Sequence, residues 1–137
     1  MNLYLSEVAV FERSHPSYAA AIDAVLTFCS HNSVYCWRSV EWVDYSEIER
    51  RINTSDIFVA LMDEYWTSST WKGHEFTYAS GGPGMNGGTK GKQIPTRIAF
   101  LAGDLEFPRY LRGCPGPIIV THTISELRDA LAPTREA

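Results

Sequence analysis

The chain is short of cysteine, of basic residues and of long apolar runs, and each shortage narrows what it can be. Three cysteines, Cys29, Cys36 and Cys114, stand among 137 residues. An odd count at wide, irregular spacing reads as buried thiols, not as a disulfide framework or a zinc site. No apolar stretch approaches the roughly 20 residues that a helical span requires. The opening Met1-Asn2-Leu3-Tyr4-Leu5 carries no basic leader ahead of an apolar stretch. The expectation is a cytoplasmic protein with no membrane partner. Twelve Lys and Arg against 16 Asp and Glu give a net charge of −4, and so no basic stripe for nucleic acid. His15, His31 and His122 are scattered, and no metal site is expected from them. There is neither an internal repeat nor a linker, so the chain reads as a single α/β domain over residues 1–132 with a short polar tail, 133–137.

What is present alternates between strand and helix. Leu3-Tyr4-Leu5 opens as a strand. Pro16 suits a helix start, and Tyr18, Ile22, Val25, Leu26 and Cys29 then recur at helical spacing. Val34 to Trp37 reads as a second strand. Asp44 and Glu47 match a capping box ahead of Ile48 and Ile52. Ile57 to Met62 is the most continuous apolar run, the pattern of a strand buried on both faces. A helix is predicted from about Trp71 to Ala79. Residues 81–92 read as a mobile glycine-rich loop, because Gly91-Lys92 lacks Walker spacing and Gln93 replaces the hydroxyl residue. Strands at Arg97–Leu101 and Ile118–Val120 follow, with a helical turn near Tyr110-Leu111 between them. A capping box at Thr123 and Glu126 opens the last helix. This alternation predicts a five-stranded parallel flavodoxin-like sheet, order 2-1-3-4-5, with helices on both faces.

That order puts a ligand crevice at the carboxyl ends of the first and third strands, where Ser6 and Asp63 stand. The segment from Asp63 to Ala79 therefore reaches the place where such sheets bind small molecules. Within it, Trp71 and Glu75 lie one helical turn apart. An indole can stack on a base while the carboxylate meets sugar hydroxyls or a developing positive charge. Ser68, Ser69 and Thr70 are candidate helix caps or phosphate ligands. Trp37 reads as core, Trp42 as a pocket edge, and His74 as a surface residue.

The segment Thr54-Ser55-Asp56-Ile57-Phe58-Val59-Ala60-Leu61, followed by Tyr65, Ser69, Trp71, Glu75 and Ala79, resembles the Toll/interleukin-1 receptor (TIR) domain, especially its single-domain bacterial forms. Leu3 to Ser6 is similar to the family's first strand. The resemblance implies that Glu75 is catalytic and cleaves the nicotinamide–ribose bond of NAD, giving ADP-ribose or a cyclic isomer in antiviral defence signalling. It further implies substrate contacts from Ser6, Phe11, Tyr65, Trp42, Ser69 and Trp71, with no cofactor beyond NAD as substrate. It also implies a homo-oligomeric active form, and the brevity of the chain suggests a separate sensor or effector protein. The chemistry suits a lone carboxylate, because nicotinamide leaves neutral and the ribosyl group becomes oxocarbenium-like.

Two departures from the family stand out. The loop from Ser6 to His15 lacks the usual aspartate, with Phe11 and Arg13 as loose substitutes, and the loop from Arg38 to Asp44 is short. Two rival readings are kept. One is a nucleoside 2-deoxyribosyltransferase-like enzyme, in which Glu75 attacks deoxyribose. The other is a non-catalytic TIR interaction module.

Overall fold

In a computed structural model, residues 1–8, 15–39, 43–84 and 89–132 are described. Five parallel strands form one sheet: β1 (Asn2–Ser6), β2 (Tyr35–Arg38), β3 (Ile57–Met62), β4 (Thr96–Leu101) and β5 (Ile119–Thr121). Their spatial order is β2-β1-β3-β4-β5, as expected from the sequence. Among the described residues the helices α1 (Ser17–His31), α2 (Tyr45–Asn53), α3 (Glu64–Ser68) and α4 (Thr70–Ala79) lie between strands, and α5 (Ile124–Leu131) follows β5. A 3₁₀ turn at Arg109–Leu111 occupies the expected place before β5. Helix α1 packs beside α5, and α2 beside α4.

Every residue of β3 is buried, which is why its sequence shows no alternation. On β1 the side chains alternate between faces. Tyr4 pairs with Phe58 in register and stacks on it at 5.7 Å. Phe58 then meets Phe76 of α4 edge to face. Tyr4, Phe58 and α4 thus share one face of the sheet, and Ser6, two residues on, points the same way. On α1, Tyr18 is fully buried; its hydroxyl donates to the Leu61 carbonyl and accepts from the Val8 amide.

Local signals account for most element ends. Thr123 and Glu126 form the reciprocal capping box of α5. At α2 only half of the expected box exists: Asp44 accepts from the Glu47 amide, while the Glu47 carboxylate turns to Arg50 and Arg51. The two guanidinium donors compete for that carboxylate and win it. The helix predicted from Trp71 has a separate precursor, α3, capped by Asp63 through the Trp66 amide at 2.8 Å. Five residues are too few to show a period, so α3 was invisible to pattern reading.

Where it is described, the glycine-rich stretch is tied to its neighbours by main-chain hydrogen bonds. The Gly82 amide donates to Thr77, the Gly91 amide to Gly82, and the Lys92 amide to Asn53. A Cβ on Gly91 would come within 2.2 Å of the Tyr78 carbonyl oxygen. Glycine here permits a close backbone approach to the end of α4. Gly91→Ala should therefore cost about 1–3 kcal/mol in urea unfolding, as overpacking against main chain does. Among the described residues no helix is long and apolar enough to cross a membrane.

Candidate active site

Helix α4 begins where β3 has left the sheet, and Ser69 caps it by accepting from the Lys72 amide at 3.3 Å. The helix then carries Glu75 one and a half turns inward, over the carboxyl end of β1. There the carboxyl group is wholly removed from solvent. Tyr4 Oη donates to Oε2 at 2.8 Å, and Ser6 Oγ donates to Oε1 at 2.7 Å. The Ser6 hydroxyl is itself oriented by the indole N–H of Trp66, which donates to it at 3.0 Å. Lys72, one turn before Glu75 on the same helix, places Nζ 3.6 Å from Oε1.

A second layer extends from Lys72. Its ammonium donates to Ser39 Oγ at 2.9 Å. That hydroxyl also accepts from the Glu7 amide and donates to the Glu7 carbonyl. The buried Glu7 carboxylate is bound by Arg38 through Nε at 2.9 Å and Nη2 at 2.7 Å. The ends of β1 and β2 are thereby joined to α4 by one polar chain.

The energetics set the state of Glu75. A hydrogen bond to a charged group is worth about 1.5–3 kcal/mol, so Tyr4 and Ser6 together offset much of the several kcal/mol lost on burying a carboxylate. They do not offset all of it. Burial pushes the Glu75 carboxyl above its ordinary value of 4.5, against the downward pull of Lys72 first, then of Ser6 and Tyr4. Tyr4 is driven well above its ordinary value by its own burial and by the Glu75 charge, so it stays a proton donor. The result is a dry carboxyl group with fixed donors, positioned to favour positive charge developing beside it.

The residues expected from the sequence fall into distinct places. Glu75 and Ser6 come together as described. Ser69 serves as a helix cap. Trp71 is half-buried and packs against Tyr45 of α2 at 3.9 Å; the indole linked to Glu75 is that of Trp66. Tyr65 is half-exposed on α3. Phe11 and Trp42 lie outside the described residues. Sequence reasoning missed Tyr4, Trp66 and Lys72. Tyr4 shares the parity of Ser6 on β1, and Lys72 stands three residues before Glu75, so both could have been found by spacing. Among the described residues no group of three His, Cys, Asp or Glu side chains is placed to hold a metal.

No family model matches the chain, and no curated protein matches it either. Among solved structures, that of the Clostridium botulinum CMP N-glycosidase BcmB is similar. It has 16% sequence identity and a TM-score of 0.60, and covers 97% of this chain and 99% of that one. General stress protein 14 of Treponema denticola, in complex with FMN, is a weaker likeness. Its identity is 16% and its TM-score 0.45, over 96% of this chain and 93% of that one. The first likeness shows a shared α/β fold. None of these comparisons supports the TIR resemblance.

Proposed function

We propose that this chain is an N-glycosidase that splits the base–ribose bond of a nucleoside 5′-monophosphate, with Glu75 as the catalytic carboxylate. The observation that carries the reading is the fully buried Glu75 carboxylate, held by Tyr4, Ser6 and Lys72 at the carboxyl end of β1. Support comes from the CMP N-glycosidase that shares the fold over nearly its whole length. Breaking a C1′–N bond gathers positive charge on C1′ and the ring oxygen, while the bonding pair leaves with the base, which takes up a proton from water to depart neutral. An anionic oxygen beside C1′ stabilises that charge or attacks C1′ to form a glycosyl ester, which water then hydrolyses. Tyr4 and Ser6 fix the two carboxylate oxygens in place. Glu75 is fully buried, so a ribosyl group reaches it only when the residues covering it move.

Cleavage of NAD, the reading from the TIR resemblance, uses the same carboxylate chemistry on another leaving group. Incubating the purified protein separately with CMP, the other ribonucleoside and deoxyribonucleoside monophosphates, and NAD distinguishes the readings. Free base and ribose 5-phosphate from a monophosphate are expected. Nicotinamide release with every monophosphate intact would overturn the proposal in favour of NAD cleavage.

The pH dependence follows from the burial of Glu75. The reactive form is ionised, and burial holds the carboxyl above 4.5. A raised value means that the proton is lost only at higher pH, so kcat/KM should climb along a limb centred above 4.5. Measured from about pH 4 to 8, that limb reports the free enzyme's essential carboxylate. A profile already flat at its acid end contradicts the assignment.

A further inference from the structure

Lys72 is an unusual residue to bury. Its side chain is 11% exposed, yet the ammonium lies 3.6 Å from Glu75 Oε1 and 2.9 Å from Ser39 Oγ. The hydrogen-bond pattern at Ser39 fixes the direction of these contacts. A serine hydroxyl has one proton, and here it points to the Glu7 carbonyl at 3.0 Å. Ser39 Oγ can then only accept, from the Glu7 amide at 2.8 Å and from Lys72. Lys72 must be the donor in its bond, and the backbone of Glu7 holds Ser39 from both sides.

We infer that Lys72 is a positioning residue: pinned by Ser39 at the end of β2, its ammonium lies against Glu75 Oε1 and fixes the carboxylate for reaction. The inference rests on the reading of Glu75 as the carboxylate that meets the ribosyl group. The other described groups around Glu75 cannot take this role. From β1, Tyr4 and Ser6 are neutral donors. Trp66 of α3 reaches the carboxylate only through Ser6. Asp63, where β3 ends, is committed to capping α3. Glu7 and Arg38 lie beyond Ser39 and bind each other as a bidentate pair. Arg51 of α2 lowers the Tyr4 hydroxyl's value, and Glu7 raises it. Among the described residues Lys72 is the one cation in contact with Glu75, and its charge is the largest influence opposing burial there.

The design ties catalysis to the meeting of β2 with α4. If Ser39 moves, the ammonium loses its anchor, and Glu75 drifts towards its protonated, inactive form.

The test uses Lys72→Met, which keeps the length and apolar stem while removing the charge, with Lys72→Arg as the charge-restoring variant. Carboxyl carbon NMR of protein labelled in glutamate, with Glu75→Gln for assignment, gives the Glu75 titration midpoint directly. An opposite charge within a few ångströms moves a carboxyl by about 1–3 units. The midpoint in Lys72→Met should rise by that amount, and Lys72→Arg should bring most of it back. The acid limb of kcat/KM on the cleaved nucleotide should move by the same amount. Ser39→Ala, which removes the anchor at a half-buried position, should shift the midpoint in the same direction by less, and it decides the question if Lys72→Met does not fold. An unchanged Glu75 midpoint overturns the inference. So does a loss of activity equal at every pH with a raised KM, which would make Lys72 a substrate contact. If no nucleotide is cleaved, the enzymatic reading fails, while the NMR titration still decides whether Lys72 holds Glu75 ionised.

Discussion

Glu75→Gln is expected to lower turnover of the nucleotide substrate by about 10³-fold while leaving the protein folded. The substitution keeps the shape of the side chain and removes its charge. The amide oxygen still accepts from Tyr4 or Ser6, but the amide nitrogen now faces the other donor, so one of two short bonds is lost. Against that loss stands relief from burying a charge, the largest influence on Glu75. Lys72 loses its ionic neighbour but keeps its bond to Ser39. These effects oppose one another, and the melting temperature should change little. Catalysis has no such compensation, because a neutral amide neither stabilises the ribosyl cation nor attacks C1′. Glu75→Asp, which keeps the charge but withdraws it by one methylene from Tyr4 and Ser6, should fall between, about 10–100-fold below the wild type. Steady-state base release, with near-ultraviolet circular dichroism to check the fold, measures both. A Glu75→Gln protein retaining more than about a tenth of the activity contradicts the assignment.

Trp66→Ala is expected to have the largest effect on stability, about 3–5 kcal/mol, or a melting temperature lower by about 10 °C or more. Trp66 is completely buried and meets Phe76 edge to face with centroids 6.3 Å apart. Its removal leaves a cavity directly behind the candidate active site. It also deprives Ser6 of the donor that orients its hydroxyl toward Glu75. Trp66→Phe separates the two contributions. It refills most of the cavity, so most stability should return, while the Ser6 hydroxyl stays without its indole partner. Activity should then remain depressed in Trp66→Phe even though stability recovers. Urea unfolding beside base-release rates reads both quantities, and a full recovery of activity would show that the Trp66 bond to Ser6 is idle.

How much of this was legible in the sequence depends on the length of the pattern concerned. The order of the sheet could be read because each strand is separated from the next by a segment of helical period or by a marked loop. The continuous apolar run Ile57 to Met62 announced a strand covered on both faces, and it is one. Glu75 could be found because the strand order carries the segment after Asp63 to the switch point. The partners of Glu75 were harder. Trp71 stands four residues before it, and spacing alone put an indole beside the carboxylate. The indole of Trp71 instead packs on Tyr45 of α2, a contact between segments far apart in sequence that no periodicity encodes. The indole that does serve Glu75, that of Trp66, sits in a helix of five residues, where a pattern has no room to repeat. Lys72 was passed over because a lysine on a helix is ordinarily solvated. Here it is buried, with Ser39, 33 residues away, accepting from its ammonium. The TIR resemblance rested on a run of similar residue types, and the known proteins that this chain matches do not support it. The N-glycosidic chemistry common to that reading and its nucleoside-processing rival survives as the proposal.

The central claim is that Glu75 breaks the bond between base and ribose. The most direct measurement incubates CMP with the wild-type protein and with Glu75→Gln in ¹⁸O-labelled water and follows both products. The account predicts cytosine and ribose 5-phosphate in equal amounts from the wild type, the sugar phosphate carrying one ¹⁸O at C1′, and neither product above background from Glu75→Gln. Release of inorganic phosphate with the glycosidic bond intact, or equal cytosine release by both proteins, would contradict it.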